Sequence, residues 1–145
     1  MTMKKIFLLV VAVILVYGYI QDQGILSPGA SATGVSNGAI EQAYENQQSD
    51  VQVKGAGTVI KLLRDDLEGS RHQKFILKLN SGHTLLVSHN IDLAPRIDRL
   101  KSGDQVEFFG EYEWNNKGGV VHWTHHDPAG RHVSGWIRHQ GRTYQ

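Results

Sequence analysis

Gly103-Asp104-Gln105-Val106-Glu107-Phe108-Phe109-Gly110-Glu111-Tyr112-Glu113-Trp114 is the stretch on which the fold turns. Val106, Phe108, Tyr112 and Trp114 fall on one parity, and Gln105, Glu107, Glu111 and Glu113 on the other. That alternation describes a strand with one face in a core and one in water. Asn115 to Gly119 is a turn rich in Asn and Gly, and Val120 to His126 supplies a partner strand.

Working back toward the N-terminus, Leu93 to Lys101 predicts one or two helical turns. Pro95 suits the first position, Ile97 and Leu100 share a face, and Gly103 suits the stop. Gln73 to Leu79 and His83 to His89 alternate around the tight turn Asn80-Ser81-Gly82 and predict a hairpin. Arg64 to His72 is charged and reads as a loop. Val51 to Leu63 alternates but is broken by Gly55-Ala56-Gly57, which predicts a bulge or sharp coil there. Gly38 to Gln48 carries Ile40, Ala43 and Tyr44 at helical spacing, with Ser36 or Asn37 as the expected cap.

The resulting order is three strands, a short helix and two strands, with a long glycine-broken first strand. The class is all-β with short helices, arranged as an OB-like five-stranded Greek-key barrel preceded by an N-terminal hydrophobic helix. Gly103-Asp104 followed by Val106 and Gly110 also resembles a run common at the fourth strand of such barrels.

The N-terminal end has a different character. Lys4 and Lys5 precede an apolar or aromatic run from Ile6 to Ile20, interrupted only by Gly18. This is the pattern of an export signal, and a run of 15 residues is short against the roughly 20 that a spanning helix needs. Residues 1–22 are therefore expected to be a signal peptide or a membrane anchor, residues 23–37 a flexible linker, and residues 38–145 the barrel domain. That domain is expected outside the cytoplasm, periplasmic or anchored at the inner membrane, with the membrane a partner if the segment stays uncleaved. The absence of cysteine excludes disulfides, thiolate metal sites and Cys nucleophiles. From Thr33 onward 13 Lys and Arg balance 13 Asp and Glu, so net charge does not indicate a nucleic-acid binder.

The chemistry-bearing residues gather late. Five of the eight histidines and two of the three tryptophans lie from His122 to His139. One reading is a ligand surface for a polar or anionic ligand, built from His122, Trp123, His126, Arg131, Trp136 and Arg138. Tryptophan offers stacking faces there, and Arg offers forks for phosphate or carboxylate. A second reading is a metal-dependent hydrolase of phosphodiester type, with His125, Asp127 and His132 as metal ligands for a divalent ion or as acid–base groups. A third is an envelope module that binds another protein along an exposed sheet edge. His89 and Asp92 are secondary candidates. His89 shares a face with Leu85 and Val87, which suits a hydrogen-bonded histidine at the core edge, and Asp92 suits a helix cap.

Three stretches carry a family likeness: His89-Asn90-Ile91-Asp92-Leu93-Ala94-Pro95-Arg96, Gly110-Glu111-Tyr112-Glu113-Trp114, and His122-Trp123-Thr124-His125-His126-Asp127-Pro128. Over Val51 to Tyr144 the chain resembles a family of small exported bacterial proteins of unknown function. The resemblance implies an exported single domain and brings no activity. In plan the chain is also similar to exported bacterial OB-fold proteins.

Overall fold

The computed structural model describes residues 36–145. The expectations for residues 1–22, and for the linker up to residue 35, lie outside them. Helix α1 (Gly38–Glu45) leads into seven strands: β1 (Val51–Leu62), β2 (His72–Lys78), β3 (Thr84–Asn90), β4 (Gln105–Glu113), β5 (Val120–His122), β6 (Trp136–His139) and β7 (Arg142–Tyr144).

The strand pairings run β1-β2-β3-β5-β4, and β4 returns to β1, so five strands close a barrel of OB-like topology. All neighbours are antiparallel except β3 and β5, which run parallel. Closure leaves no free edge on these five strands, which is how a small antiparallel sheet avoids an exposed hydrogen-bonding row. Val53, Val59, Phe75, Leu77, Leu85, Val87, Val106, Phe108, Tyr112 and Val121 fill the interior. Each alternates with a residue on the outer face. Trp114, read as core, is half-buried and packs against the cluster from its edge.

Four local expectations are corrected. The β1–β4 register runs unbroken through Gly55, Ala56 and Gly57. The irregularity falls instead between Val59 and Lys61 on the β2 side. The glycines serve close approach: a Cβ at Gly55 would lie 2.7 Å from Ile40 Cδ1, and one at Gly57 would lie 2.8 Å from the Lys78 carbonyl. Asn37 stands at the N-cap position of α1, but its side chain caps nothing there. That side chain instead bridges both backbone groups of Ala56, accepting from the amide at 2.9 Å and donating to the carbonyl at 3.0 Å.

No helix forms from Leu93 to Lys101. The Gln73 side chain accepts from the Ile97 amide (2.9 Å) and donates to its carbonyl (3.0 Å), while the Lys101 amide that a helix would send to that carbonyl goes to the Asp104 carboxylate (2.9 Å). Ala94, Ile97 and Leu100 are still buried, so the apolar spacing was real although the backbone is a chain of turns. Finally, β5 stops at His122 rather than His126, because Trp123 takes a left-handed backbone with φ of 54°.

The β6–β7 hairpin lies beyond the five expected strands. Gln140 and Gly141 both have positive φ, the requirement of a two-residue hairpin turn matched to strand twist. β6 pairs with Val106 to Phe109 of β4, while β5 pairs with Glu111 to Glu113. Two elements thus share one edge of β4, meeting at Gly110. Among the described residues no helix is long and apolar enough to cross a membrane.

Candidate functional site

Where β5 ends, the chain passes over the end of β3, with Thr124 fully buried. This crossing is fixed from below by His89, which is fully buried on β3. Its Nε2 donates to the Pro95 carbonyl at 3.1 Å, so Nδ1 is left to accept from the Thr124 hydroxyl at 2.8 Å. Burial pushes His89 down to about 4, against the lesser upward pull of the Pro95 carbonyl. The ring is therefore a neutral strut between β3 and the segment after β5.

Trp123 sits on this strut. A non-glycine residue at positive φ is uncommon, and such strain collects at functional sites. Its indole stacks on His132 with ring centroids 3.9 Å apart and planes 9° from parallel, and meets His125 at 5.3 Å. One face of the indole is thus already covered.

His132 is held on both sides. Nδ1 donates to the Val133 carbonyl at 2.8 Å, and Nε2 lies 2.5 Å from Glu111 Oε2. Both partners accept, which favours the doubly protonated ring. Burial works against that charge, but the Glu111 carboxylate and the Val133 carbonyl outweigh it and raise the pKa.

The loop that delivers His132 is organised by Asp127. Its carboxylate accepts from the amides of Ala129 (2.9 Å), Arg131 (2.7 Å) and His132 (2.8 Å). Those three amides hold its pKa below the usual carboxylate range. The trio His125, Asp127 and His132 consequently has three separate commitments. Asp127 ties down its own loop, His132 pairs with Glu111, and His125 donates from Nδ1 to the His126 carbonyl at 2.6 Å.

A groove of about 200 Å³ opens beside the crossing, lined by Ser70, His72, Ser88, Asn90, Leu93, His122, Trp123 and His125. His72 donates from Nδ1 to the Ser70 carbonyl at 2.7 Å. The backbone acceptors beside His72 and His125 place a proton on Nδ1 of each ring, which leaves Nε2 of a neutral imidazole as an acceptor. The lining is polar apart from Leu93 and the indole.

Of the residues singled out from the sequence, His122, Trp123 and His125 line the groove. His126 and Arg131 are exposed on the loop beyond it. Trp136 and Arg138 belong to another patch, on the outer side of β6. There Arg138 lies 4.9 Å and Lys54 5.7 Å from the Trp136 ring, and Phe109 flanks it. Asp92 caps no helix; it takes the Arg71 amide at 2.8 Å and the Arg71 guanidinium at 2.6 Å.

Sequence reasoning missed His72, Ser88, Asn90, Glu111 and Glu113. The last two were legible: they flank Tyr112 on one face of β4, and a hairpin through Asn115–Gly119 brings β5 alongside. The chain matches the family described as "Protein of unknown function (DUF3465)" over residues 25–145. It belongs to that family. A comparison with curated proteins finds no match. The match reaches further toward the N-terminus than the likeness read from Val51 to Tyr144, so it takes in helix α1 as well as the barrel.

Proposed function

We propose that this protein is a binding module whose groove beside β3 and β5 holds a small polar or anionic group. The observation that carries the reading is the preorganised wall. Trp123 is kept in a strained backbone conformation, stacked on His132 and supported by His89 through Thr124. Energy stored in holding a side chain in place suits a surface that must be ready before its ligand arrives.

The volume is below the roughly 300–1,000 Å³ of sites for whole drug-sized ligands, so one sugar ring or one phosphate-bearing group is the fitting unit. The imidazole acceptors suit a ligand hydroxyl, and the two serine hydroxyls and the Asn90 amide can donate to an anion's oxygens. The export expected from the N-terminal segment would present the groove outside the cytoplasm.

The test is a titration of the full-length chain in detergent, with chelator present, followed by NMR of the histidine rings. Inorganic phosphate serves as anionic probe and N-acetylglucosamine as neutral polar probe. The ring signals of His72 and His125 are expected to shift saturably with one of them. His125→Ala and Ser88→Ala are each expected to weaken binding at least tenfold, with the melting temperature lowered by less than about 5 °C. Neither probe shifting either ring would overturn the reading, as would unweakened binding in folded Ser88→Ala.

A further inference from the structure

Glu111 and Glu113 are two residues apart on β4, so both carboxylates leave the outer face while Tyr112 between them enters the core. The pairing of Glu111 with His122 puts an imidazole from β5 beside them. His122 Nε2 is 3.5 Å from Glu111 Oε1 and 3.4 Å from Glu113 Oε1. One ligand atom from each of the three residues lies within 4.8 Å of the other two.

Those separations are long for a charge-assisted hydrogen bond, which closes to about 2.7–2.9 Å. They match a different geometry. Four ligands about 2.1 Å from one tetrahedral ion sit roughly 3.4 Å from one another. Among the described residues neither carboxylate is paired with a Lys or Arg; their only ion-pair partners are His122 and His132. Two like charges on one strand face repel, and the His132 imidazolium offsets that repulsion from the Glu111 side alone. Gln52, opposite Glu111 in the β1–β4 register, has a buried amide nitrogen with no hydrogen-bond partner among the described residues. A donor is therefore available beside the cluster for an oxygen that an ion would carry.

We propose that Glu111, Glu113 and His122 form a binding site for a divalent transition-metal ion of the zinc type. Imidazole with two carboxylates suits zinc and its neighbours, whereas magnesium and calcium prefer oxygen alone. All three ligands stand on paired strands, a rigid base. His132 grips the far oxygen of Glu111 and is the positioning residue that orients it. Three protein ligands leave at least one coordination position open, and His122 also lines the groove. The site shares His122 with the groove but does not depend on the groove binding anything.

The test uses the full-length chain in detergent, purified without a metal-affinity step, stripped with chelator and dialysed. Calorimetry with zinc chloride is expected to give one saturable site per chain, and magnesium chloride none. Cobalt(II) is expected to give visible d–d bands that zinc bleaches. Glu113→Gln and His122→Gln are each expected to weaken zinc at least tenfold, and His132→Ala about 10- to 100-fold without abolishing it. Far-UV circular dichroism checks each variant; if His122→Gln unfolds, Glu113→Gln is the deciding variant. No stoichiometric uptake by the unaltered chain would overturn the proposal, and so would undiminished zinc affinity in folded Glu113→Gln. Because the groove titration contains chelator, either proposal can fail alone.

Discussion

Trp123 shows most directly what a single residue is asked to do. Its φ of 54° lies where an L-residue's Cβ crowds the backbone, at a cost of roughly 1–2 kcal/mol. The twist ends β5 and turns the chain across the barrel, which brings His125 to the groove and lets the Asp127 loop return His132 onto the indole. The strain can be measured apart from the stack. Trp123→Ala loses the ring but keeps the backbone penalty; Trp123→Gly loses both. Glycine is ordinarily the less stable of the two by about 0.5–1 kcal/mol. Here the order is expected to reverse, with Trp123→Gly more stable than Trp123→Ala by about 1 kcal/mol in urea denaturation. The ordinary order would mean that the backbone at residue 123 relaxes when the indole is removed.

The elements differ in how plainly the sequence announces them. β2, β3 and β4 alternate over seven to nine residues around buried Phe75, Leu77, Leu85, Val87, Phe108 and Tyr112, and a period of two that long has one reading. β6 and β7 are four and three residues long, and their buried positions are Ile137, His139 and Tyr144, one of them polar, so periodicity had too few apolar positions to register. The turns from Leu93 to Lys101 misled because apolar spacing reports burial, whereas a helix also needs each carbonyl paired with the amide four residues on; Gln73 takes the Ile97 carbonyl and Asp104 the Lys101 amide. The candidate site was half legible. The tail motif located His122, Trp123 and His125, but His72, Ser88 and Asn90 join them only through strand register, which no local pattern carries. Gly110 is the element-scale hinge of that register. A Cβ there would meet the His122 carbonyl, with Thr124 Cγ2 at 2.9 Å and Val121 Cγ1 at 3.0 Å. Gly110→Ala is therefore expected to push β5 from β4 and cost about 1–3 kcal/mol, the range of overpacking in a filled site. Hydrogen exchange should locate the loosening at Val120–His122 and leave the β2–β3 hairpin protected; uniform loosening would argue against a local clash.

At the scale of the whole molecule, buried and paired groups give stability a pH profile whose parts can be separated. His89 titrates at about 4 when folded, against an ordinary imidazole near 6.5. Between those values the unfolded chain binds the extra proton, so folding weakens as pH falls, by about 3 kcal/mol when the window is crossed. The shift in His132 has the opposite sign. Its pKa is raised, so its contribution is complete below about pH 6.5 and fades as pH rises through the folded value. Asp127, held by three amides, and Asp104, held by His139 and the Lys101 amide, are depressed carboxylates. Their contributions persist above the ordinary carboxylate range and vanish only in stronger acid, below about pH 4. Stability measured in urea with chelator present should therefore peak near pH 6.5 and fall in two acid steps. The first step, between pH 6.5 and 4, belongs to the neutral strut beneath the groove, and His89→Gln should flatten it while leaving the second. If the first step survives that substitution, protonation elsewhere sets the acid sensitivity, and the groove floor does not depend on a neutral His89.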